Sequence, residues 1–273
     1  MDITDSEFEL MRGLIYEHFG INLTDKKKSL LVSRLQKIIE KSGFSSFRQY
    51  YKHLHDDPDA CDLSDLIDHI STNHTFFNRE AAHFDFFAKT ALPTIVERIR
   101  AEGSRDLRIW CAGCSNGQEA YMLLMLVREV LGSDYGHWDA GVLATDISSR
   151  ALGKAERGVY PDNQVANLPE TLKRKYLRRI SGEEWEVVQE LRNEATFRRF
   201  NLMNEVFPFK KPFHIIFCRN VMIYFDSETR DRLCARFHRV LMPNGYLFLG
   251  HSESVNHHLG LFSTVRPAVY QKR

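Results

Sequence analysis

Polar side chains follow three apolar segments of the sequence, at the positions where strands of a sheet would end. Glu119 comes after RIWCAGCSNG, Asp146 ends GVLATD, and Arg219 with Asn220 follows FHIIFC. In parallel α/β sheets the ligand lies beyond the carboxyl ends of the strands, so these side chains are candidates for one binding site. A carboxylate at Glu119 suits a cationic group such as an ammonium and repels a pyrophosphate. A carboxylate at Asp146 can accept hydrogen bonds from both hydroxyls of a ribose.

Each of these residues also has a structural interpretation. Glu119 could cap the helix that begins beside it, and Asp146 could be the N-cap of a helix that begins near Ser148. Tyr224, in the apolar run after Asn220, could be a core aromatic with a satisfied hydroxyl. Gly113, in the loop before Glu119, is expected to let the backbone approach a ligand.

A second candidate is the segment STNHTFFNRE, residues 71–80. Polar Asn73, Thr75 and Arg79 alternate there with Phe76 and Phe77. The aromatic pair could anchor the segment while the polar groups face a cleft between domains, where ligands often bind. The alternative is a structural linker with a capping asparagine.

The composition limits the class of protein. The 273 residues carry a net charge of +1, which argues against a nucleic-acid partner, and no apolar run approaches the length of a membrane span. The acidic start MDITDSEFEL is unlike a secretory signal, so we expect a cytoplasmic location. The five cysteines form no regular framework, so we expect reduced thiols. No second ligand pair follows Cys111 and Cys114, so we expect neither zinc nor redox chemistry there. We interpret His251, His257 and His258 as surface or cap residues, and we expect no metal.

The pattern of apolar residues changes along the chain. Residues 7–70 show steps of three and four, which predict short helices, and later segments alternate between strand and helix patterns, which predicts a mainly parallel sheet. Residues 158–197 interrupt this alternation. There PETLKRKYLRRI reads as a helix and EWEVVQELRNEATFRRFNL as two strands, which together predict a small antiparallel insertion. We therefore expect a helical domain at 1–72, a linker at 73–90 that contributes to the site, and an α/β domain at 91–273.

One predicted helix, Asp25–Lys41 with Thr24 as its N-cap, has an apolar face and a basic face. The basic residues are Lys26, Lys27, Arg34, Lys37 and Lys41. Such a face is usually solvated, and the alternative is a partner site.

Taken in order, these segments resemble the chemotaxis receptor methyltransferases, the CheR family, from about residue 5 to the end. STNHTFFNRE is similar to the family motif T-x-N-x-T-x-F-x-R, and WCAGCSNGQEAY is similar to its W-x-A-x-C-S-x-G-x-E-x-Y loop. LATDIS, FNLM, FCRNVMIYFD and GYLFLGHSES resemble its later blocks. The resemblance implies a Rossmann-like class I methyltransferase domain behind a small helical domain.

The resemblance also implies roles for individual residues. Arg79 and Tyr224 would lie nearest the transferred methyl group. The residues implied to bind the cofactor, S-adenosylmethionine, are Asn73, Thr75, Arg79, Gly113, Glu119, Asp146, Asn201, Leu202, Arg219 and Asn220. Asn116 and Gln118 depart from the family's common form beside this loop.

The implied reaction is the transfer of a methyl group to receptor glutamates, with S-adenosylhomocysteine as the product. The partner would be the cytoplasmic helical bundle of the receptors, bound by the basic helix, and the enzyme would be a monomer. The resemblance implies that members which dock a receptor pentapeptide carry extra glycines in the inserted subdomain. Only Gly182 stands there before Trp185, so we expect no dependence on a pentapeptide. The alternatives are a methyltransferase of the same fold with another substrate, and a cofactor-binding sensor without turnover.

Overall fold

The first part of the chain is a helical bundle with its own core. The computed structural model describes residues 2–56, 61–71 and 73–273. The helices of this part are α1 Asp5–Phe19, α2 Lys28–Lys41, α3 Phe47–Asp56 and α4 Cys61–Ile70. Met11, Leu35, Phe47 and Leu66 are buried where these helices meet. The three- and four-residue steps in the sequence therefore predicted this part correctly, although its predicted end at residue 72 lies outside the described residues.

The basic helix is shorter than predicted. A 3-10 turn, Asp25–Lys27, precedes α2, and the Thr24 side chain makes no cap hydrogen bond to it. The apolar face is as predicted, because Leu31, Leu35 and Ile39 are buried. Two of the five basic residues, Lys26 and Lys27, consequently lie before the helix instead of on its face.

The predicted linker is largely helical. Helix α5, Ala81–Phe86, continues through a π-helical segment, Phe87–Ala91, into α6, Leu92–Ala101. Its apolar side chains pack on the sheet, where Phe84 stacks on Phe217 with ring centroids 6.1 Å apart. Burial of these aromatic side chains stabilises a helix in a stretch that the sequence analysis read only as a connection.

A seven-stranded sheet forms the centre of the second part, with the strand order β6-β2-β1-β7-β8-β10-β9. Its strands are β1 Ile109–Ala112, β2 Val142–Asp146, β6 Ala195–Arg199, β7 Phe213–Cys218, β8 Leu241–Leu249, β9 Phe262–Arg266 and β10 Val269–Lys272. The first five are parallel to one another, and β10 is antiparallel to β8 and β9. The sequence analysis missed β9.

Helices cover both faces of this sheet. They are α7 Gln118–Leu131 after β1, α8 Ser149–Arg157 after β2 and α12 Ser227–Val240 after β7. Every residue of β1 and β7 is buried, as expected for parallel strands covered on both sides. The carboxyl ends of β1, β2 and β7 meet at one edge, which fixes where their following loops converge. Among the described residues, no helix combines the length and the apolar character needed to cross a membrane.

The insertion forms a small antiparallel sheet, β3-β5-β4, as predicted. Its elements are β3 Val159–Pro161, α9 Asp162–Val165, α10 Glu170–Tyr176, β4 Leu177–Ser181, β5 Glu184–Val187 and α11 Gln189–Arg192. Residues 177–180, predicted as helix, are strand. Residues 189–191, predicted as strand, are helix, and this helix includes Arg192 of the predicted turn. Pairing of β4 with β5 places Arg179 opposite Trp185 and its guanidinium over the Trp185 ring, a tertiary contact that outweighs the helical pattern of the sequence.

Candidate functional site

A cavity of about 420 Å³ lies between the helical bundle and the carboxyl edge of the sheet. Its wall includes every residue implied by the resemblance to touch the cofactor or the methyl group: Asn73, Thr75, Arg79, Gly113, Glu119, Asp146, Asn201, Leu202, Arg219, Asn220 and Tyr224. The bundle contributes Phe19, Leu23 and Leu31 to the same wall. Residues from separate parts of the sequence thus share one enclosure that can hold a ligand.

The loop after β1 turns sharply at Gly113, which has φ +83°. The backbone N–H groups of Gly113 and Cys114 both donate to the Thr145 carbonyl oxygen, over 2.7 and 2.9 Å. A Cβ at position 113 would lie 2.4 Å from Val221 Cγ2. A glycine is therefore required here by the close approach of Val221, and the expected approach of the backbone to a ligand stays a prediction at a residue that lines the cavity.

Glu119 lies in the first turn of α7, whose N-cap is Gly117. Its Oε2 accepts a hydrogen bond from Arg219 Nη1 over 2.6 Å, and its Oε1 accepts one from Cys111 Sγ over 3.3 Å. The side chains of Glu119 and Arg219 are 14% and 2% exposed. The carboxylate is thus an ion-pair partner at the cavity wall, and helix capping does not explain it.

Asp146 lies at the end of β2. Its Oδ2 accepts the N–H of Ser115 over 2.7 Å, and its Oδ1 accepts the N–H of Ser148 over 2.9 Å. Burial raises the pKa of Asp146, and the backbone hydrogen bonds from Ser148 and Ser115 partly oppose that effect. The N-cap of α8 is Ser148, whose hydroxyl accepts the Ala151 N–H. The capping interpretation of Asp146 is therefore wrong, and its remaining lone pairs can serve a ligand.

The segment 73–80 is fixed by one of the two phenylalanines. Phe77 is fully buried, and its N–H donates to the Gln164 carbonyl oxygen over 2.9 Å. Phe76 instead lines the cavity, which corrects its predicted role as an anchor. Arg79 Nη1 donates to the His74 carbonyl oxygen over 3.1 Å and thereby holds a half-buried guanidinium at the wall.

Asn201 and Tyr224 join the two parts of the protein beside the cavity. Asn201 Nδ2 donates to the His18 carbonyl oxygen over 2.7 Å, and the Asn22 N–H donates to the Tyr224 carbonyl oxygen over 2.8 Å. The Tyr224 ring is half-buried at the cavity wall, with Lys27 Nζ 5.6 Å from its centroid. Tyr224 is therefore not the core aromatic that its sequence context favoured.

The five basic residues of the predicted partner site separate into two groups. Lys27 and Arg34 line the cavity, and Arg34 Nη1 donates to the Ile70 carbonyl oxygen. Lys26, Lys37 and Lys41 are exposed. The surface available to a large partner is consequently narrower than the predicted face.

The sequence analysis missed two carboxylates that hold the end of β7. Glu80 Oε2 accepts from Arg219 Nη2 over 3.1 Å, and its Oε1 accepts from Asn220 Nδ2 over 3.2 Å. Burial alone would raise the pKa of Glu80, but the Arg219 charge and these hydrogen bonds lower it overall. Glu253 accepts the N–H groups of Asn220, Ile223 and Gly250. Glu80 directly follows Arg79, and Glu253 lies within the motif GHSES, so both belong to segments that the sequence analysis named. Their partners at the end of β7 are distant in sequence, so no local pattern indicated their role.

The cysteines at the site are thiols in an apolar setting. Cys111 and Cys114 are free and buried, and burial raises the pKa of each thiol well above its usual range. Such thiols are poor nucleophiles and poor metal ligands.

Comparison with known proteins assigns both parts of the chain to one family. Residues 6–71 match the family model "CheR methyltransferase, all-alpha domain", and residues 73–270 match "CheR methyltransferase, SAM binding domain". A chemotaxis protein methyltransferase of Borreliella burgdorferi is 41% identical over 272 residues, which cover 100% of this chain and 96% of that protein. Chemotaxis protein methyltransferase 2 of Pseudomonas aeruginosa is 36% identical, covering 98% and 93%, and the Escherichia coli protein is 35% identical, covering 93% and 86%. The chain belongs to the CheR methyltransferase family.

Proposed function

We propose that this protein transfers the methyl group of S-adenosylmethionine to glutamate side chains of chemotaxis receptors, with S-adenosylhomocysteine and glutamate methyl esters as products. The observation that carries the proposal is the convergence of Arg79, Glu119, Asp146 and Tyr224 on one cavity in a chain of this family. The relatives named above are chemotaxis protein methyltransferases.

The cavity fits the proposed cofactor in size and in chemistry. A volume of about 420 Å³ lies within the range of small-molecule sites. Glu119 offers a carboxylate to the ammonium of the methionine part, and Asp146 offers one to the ribose hydroxyls. Buried Arg219 offsets the charge of Glu119, and its Nε has no hydrogen-bond partner among the described residues. Asn73, Thr75, Gly113, Asn201, Leu202 and Asn220 would complete the wall around the cofactor.

When bound, the cofactor would supply a methyl group on a sulfonium: a bond from a glutamate oxygen to the methyl carbon would form in line as the carbon–sulfur bond breaks, and the sulfur would leave as a neutral thioether. A glutamate side chain, with a reference pKa of about 4.3, is already ionised at neutral pH, so the reaction requires neither a general base nor a metal ion. The protein's contribution is to orient the carboxylate and to exclude water from it.

Arg79 and Tyr224 are the residues that we propose to orient the substrate. One guanidinium nitrogen of Arg79 is fixed on the His74 carbonyl oxygen, which leaves other N–H donors for a carboxylate. The Tyr224 ring lies on the cavity wall beside exposed Ile223. The aliphatic part of a glutamate side chain can pack on Ile223 while its carboxylate reaches Arg79.

We propose that the partner is the cytoplasmic helical bundle of the receptors, and that no nucleic acid is bound. Lys27 and Arg34 line the cavity, and the exposed charges of Lys26, Lys37 and Lys41 complement glutamate-rich helices and would steer their approach. We further propose that the protein acts as a cytoplasmic monomer and needs no receptor pentapeptide. The single glycine of the β4–β5 turn, Gly182, with φ +26°, motivates the last point.

The test is incubation of the protein with methyl-labelled S-adenosylmethionine and receptor-bearing membranes. We expect label on the receptor that alkali releases as methanol, the behaviour of a methyl ester. Label in RNA or in a small molecule would identify a methyltransferase with another substrate. Cofactor binding in calorimetry without transfer to any acceptor would identify a sensor, and either result would overturn the proposal.

A further inference from the structure

Three potential metal ligands lie together beside the cavity, outside the set that the proposed reaction uses. Glu80 precedes α5, His83 lies one turn into it, and His251 follows β8. Glu80 Oε2 lies 3.3 Å from His83 Nδ1 and 3.8 Å from His251 Nε2. One ligand atom from each residue lies within 4.8 Å of the others. With Zn–N and Zn–O bonds of about 2.0–2.1 Å, neighbouring ligand atoms of a tetrahedral zinc ion are about 3.3 Å apart, so little movement would close the set around a cation.

His83 gives an independent reason to expect a ligand. Its side chain is 1% exposed, and both of its ring nitrogens are buried without a hydrogen-bond partner among the described residues. Buried polar atoms are nearly always paired, because an unpaired one loses its hydration without compensation. The His251 ring lies edge-on to it, with centroids 4.6 Å apart, and Glu80 flanks it. A cation bound here would supply the partner that the His83 ring lacks.

We propose that Glu80, His83 and His251 bind a divalent transition-metal cation, and that zinc fits this set. Two imidazoles and a carboxylate are typical zinc ligands, and three protein ligands leave one position open. This departs from the sequence analysis, which assigned His251 to the surface and expected no metal. The spacing gave no signal, because His251 lies 171 positions from Glu80.

The site is coupled to the cavity through Arg219. Glu80 Oε2 accepts from Arg219 Nη2, and Arg219 Nη1 donates to Glu119 Oε2 on the cavity wall. A cation on Glu80 competes with the guanidinium for the same oxygen and repels its charge, so it disturbs the placement of Glu119. Zinc should therefore weaken cofactor binding, and the cofactor should weaken zinc binding by the same factor. This coupling rests on the proposed function, whereas zinc binding itself does not.

The experiment uses the whole chain, dialysed against a chelator and titrated with zinc chloride in a calorimeter. We expect one zinc ion per chain with a dissociation constant of about 10 μM or tighter. His251→Ala, at a side chain that is 53% exposed, should weaken zinc binding at least about tenfold. His258→Ala removes another exposed histidine outside the cluster and should leave the affinity unchanged.

Absence of a stoichiometric zinc site, or equal affinity in His251→Ala and the unaltered protein, would overturn the proposal. So would an equal loss in His258→Ala, because the histidines would then act only as scattered surface ligands. If His251→Ala lowers the melting temperature, His83→Asn provides a second test with the same expected loss of zinc. Cofactor affinity is then measured with and without zinc. A change smaller than about threefold would refute the coupling, while cofactor binding without zinc tests the proposed function separately.

Discussion

Arg219 Nη1 lies 2.6 Å from Glu119 Oε2, and this pair joins the end of β7 to the start of α7. The guanidinium also contacts Glu80 and the Arg79 carbonyl oxygen, and it lies 5.1 Å from the centroid of Phe84. One buried cation thus holds three separate segments of the cavity wall. Its own charge is offset by two carboxylates, which makes its placement sensitive to the loss of either.

Replacing Glu119 with glutamine tests this arrangement. The amide keeps the shape of the Glu119 side chain but removes its negative charge. Buried Arg219 then loses an ion-pair partner, and the proposed ammonium site loses its carboxylate. We expect cofactor affinity to fall at least about tenfold and the free energy of unfolding to fall by about 1–3 kcal/mol. Calorimetry and urea unfolding measure the two effects.

Glu194→Gln is the matched control. Glu194 Oε1 forms an ion pair with Arg128 Nη2 at 2.7 Å, and neither residue belongs to the cavity wall. It should cost some stability and leave cofactor affinity unchanged. A Glu119→Gln protein with normal affinity would contradict the ammonium assignment.

Asp146→Asn should weaken cofactor binding about 10- to 100-fold, or about 1.4–2.8 kcal/mol. Asparagine retains one carbonyl oxygen, but its NH₂ group must face an N–H donor, either of Ser115 or of Ser148. The charge available to ribose hydroxyls is lost as well. Asp106→Asn, which alters a carboxylate paired with Lys211 outside the cavity wall, serves as the control in calorimetry. Equal dissociation constants for Asp146→Asn and the unaltered protein would remove the ribose assignment.

Arg79→Ala tests the orientation of the substrate. We expect turnover at saturating cofactor to fall at least about 100-fold, since removal of a charge-assisted donor at a reacting group costs about 2.7 kcal/mol or more. Stability should change little, because the side chain is half-buried and, within the described residues, donates to the His74 carbonyl oxygen alone. Arg178→Ala, at an exposed arginine of β4, is the control. Methyl transfer at a normal rate in Arg79→Ala would exclude Arg79 from the reaction.

Tyr224→Phe separates the hydroxyl of that residue from its ring. The ring still packs beside Lys27, so we expect a loss of about tenfold in turnover with unchanged cofactor affinity. The initial rate of methyl transfer measures it. An unchanged rate would show that the Tyr224 hydroxyl takes no part in methyl transfer and that the residue only forms part of the cavity wall.

The positions of the site residues could be predicted because strand ends are encoded locally. Buried parallel strands are continuous apolar runs, so FHIIFC and GVLATD predict where Arg219 and Asp146 stand, and topology places both at one edge. The roles of Glu80 and Glu253 could not be predicted, because their partners lie 140 and 33 positions away. The same limit explains residues 177–180, where pairing with β5 overrides a helical pattern.

Lys37→Glu tests the proposed receptor surface. Lys37 is exposed on α2, and reversing its charge should slow receptor methylation about three- to tenfold at low salt while sparing cofactor affinity. The difference in methylation rate between the two proteins should shrink as the ionic strength rises to about 0.15 M, where the screening length is about 8 Å. Lys210→Glu, at an exposed lysine near the opposite end of β7, should have little effect. Equal methylation rates for Lys37→Glu and the unaltered protein at low salt would remove the idea.

His214→Asn tests how the sheet resists acid. His214 Nδ1 accepts the Arg108 N–H over 3.1 Å, and burial, with Arg108 and Arg98 nearby, lowers the pKa of His214 to about 4. The unfolded chain therefore binds a proton that the folded chain excludes between about pH 6.5 and 4, and stability falls as the pH falls through that window. From pH 7.5 to pH 5 this residue should account for a loss of about 2 kcal/mol.

Asparagine can accept the same N–H and does not titrate, so His214→Asn should be less stable than the unaltered protein at pH 7.5 but should lose less on acidification. Urea unfolding at both pH values measures the difference between the two slopes. His258→Asn, at an exposed histidine, should leave the slope unchanged. If His214→Asn and the unaltered protein lost the same free energy between pH 7.5 and pH 5, the acid sensitivity would arise elsewhere, because no other change separates the two proteins.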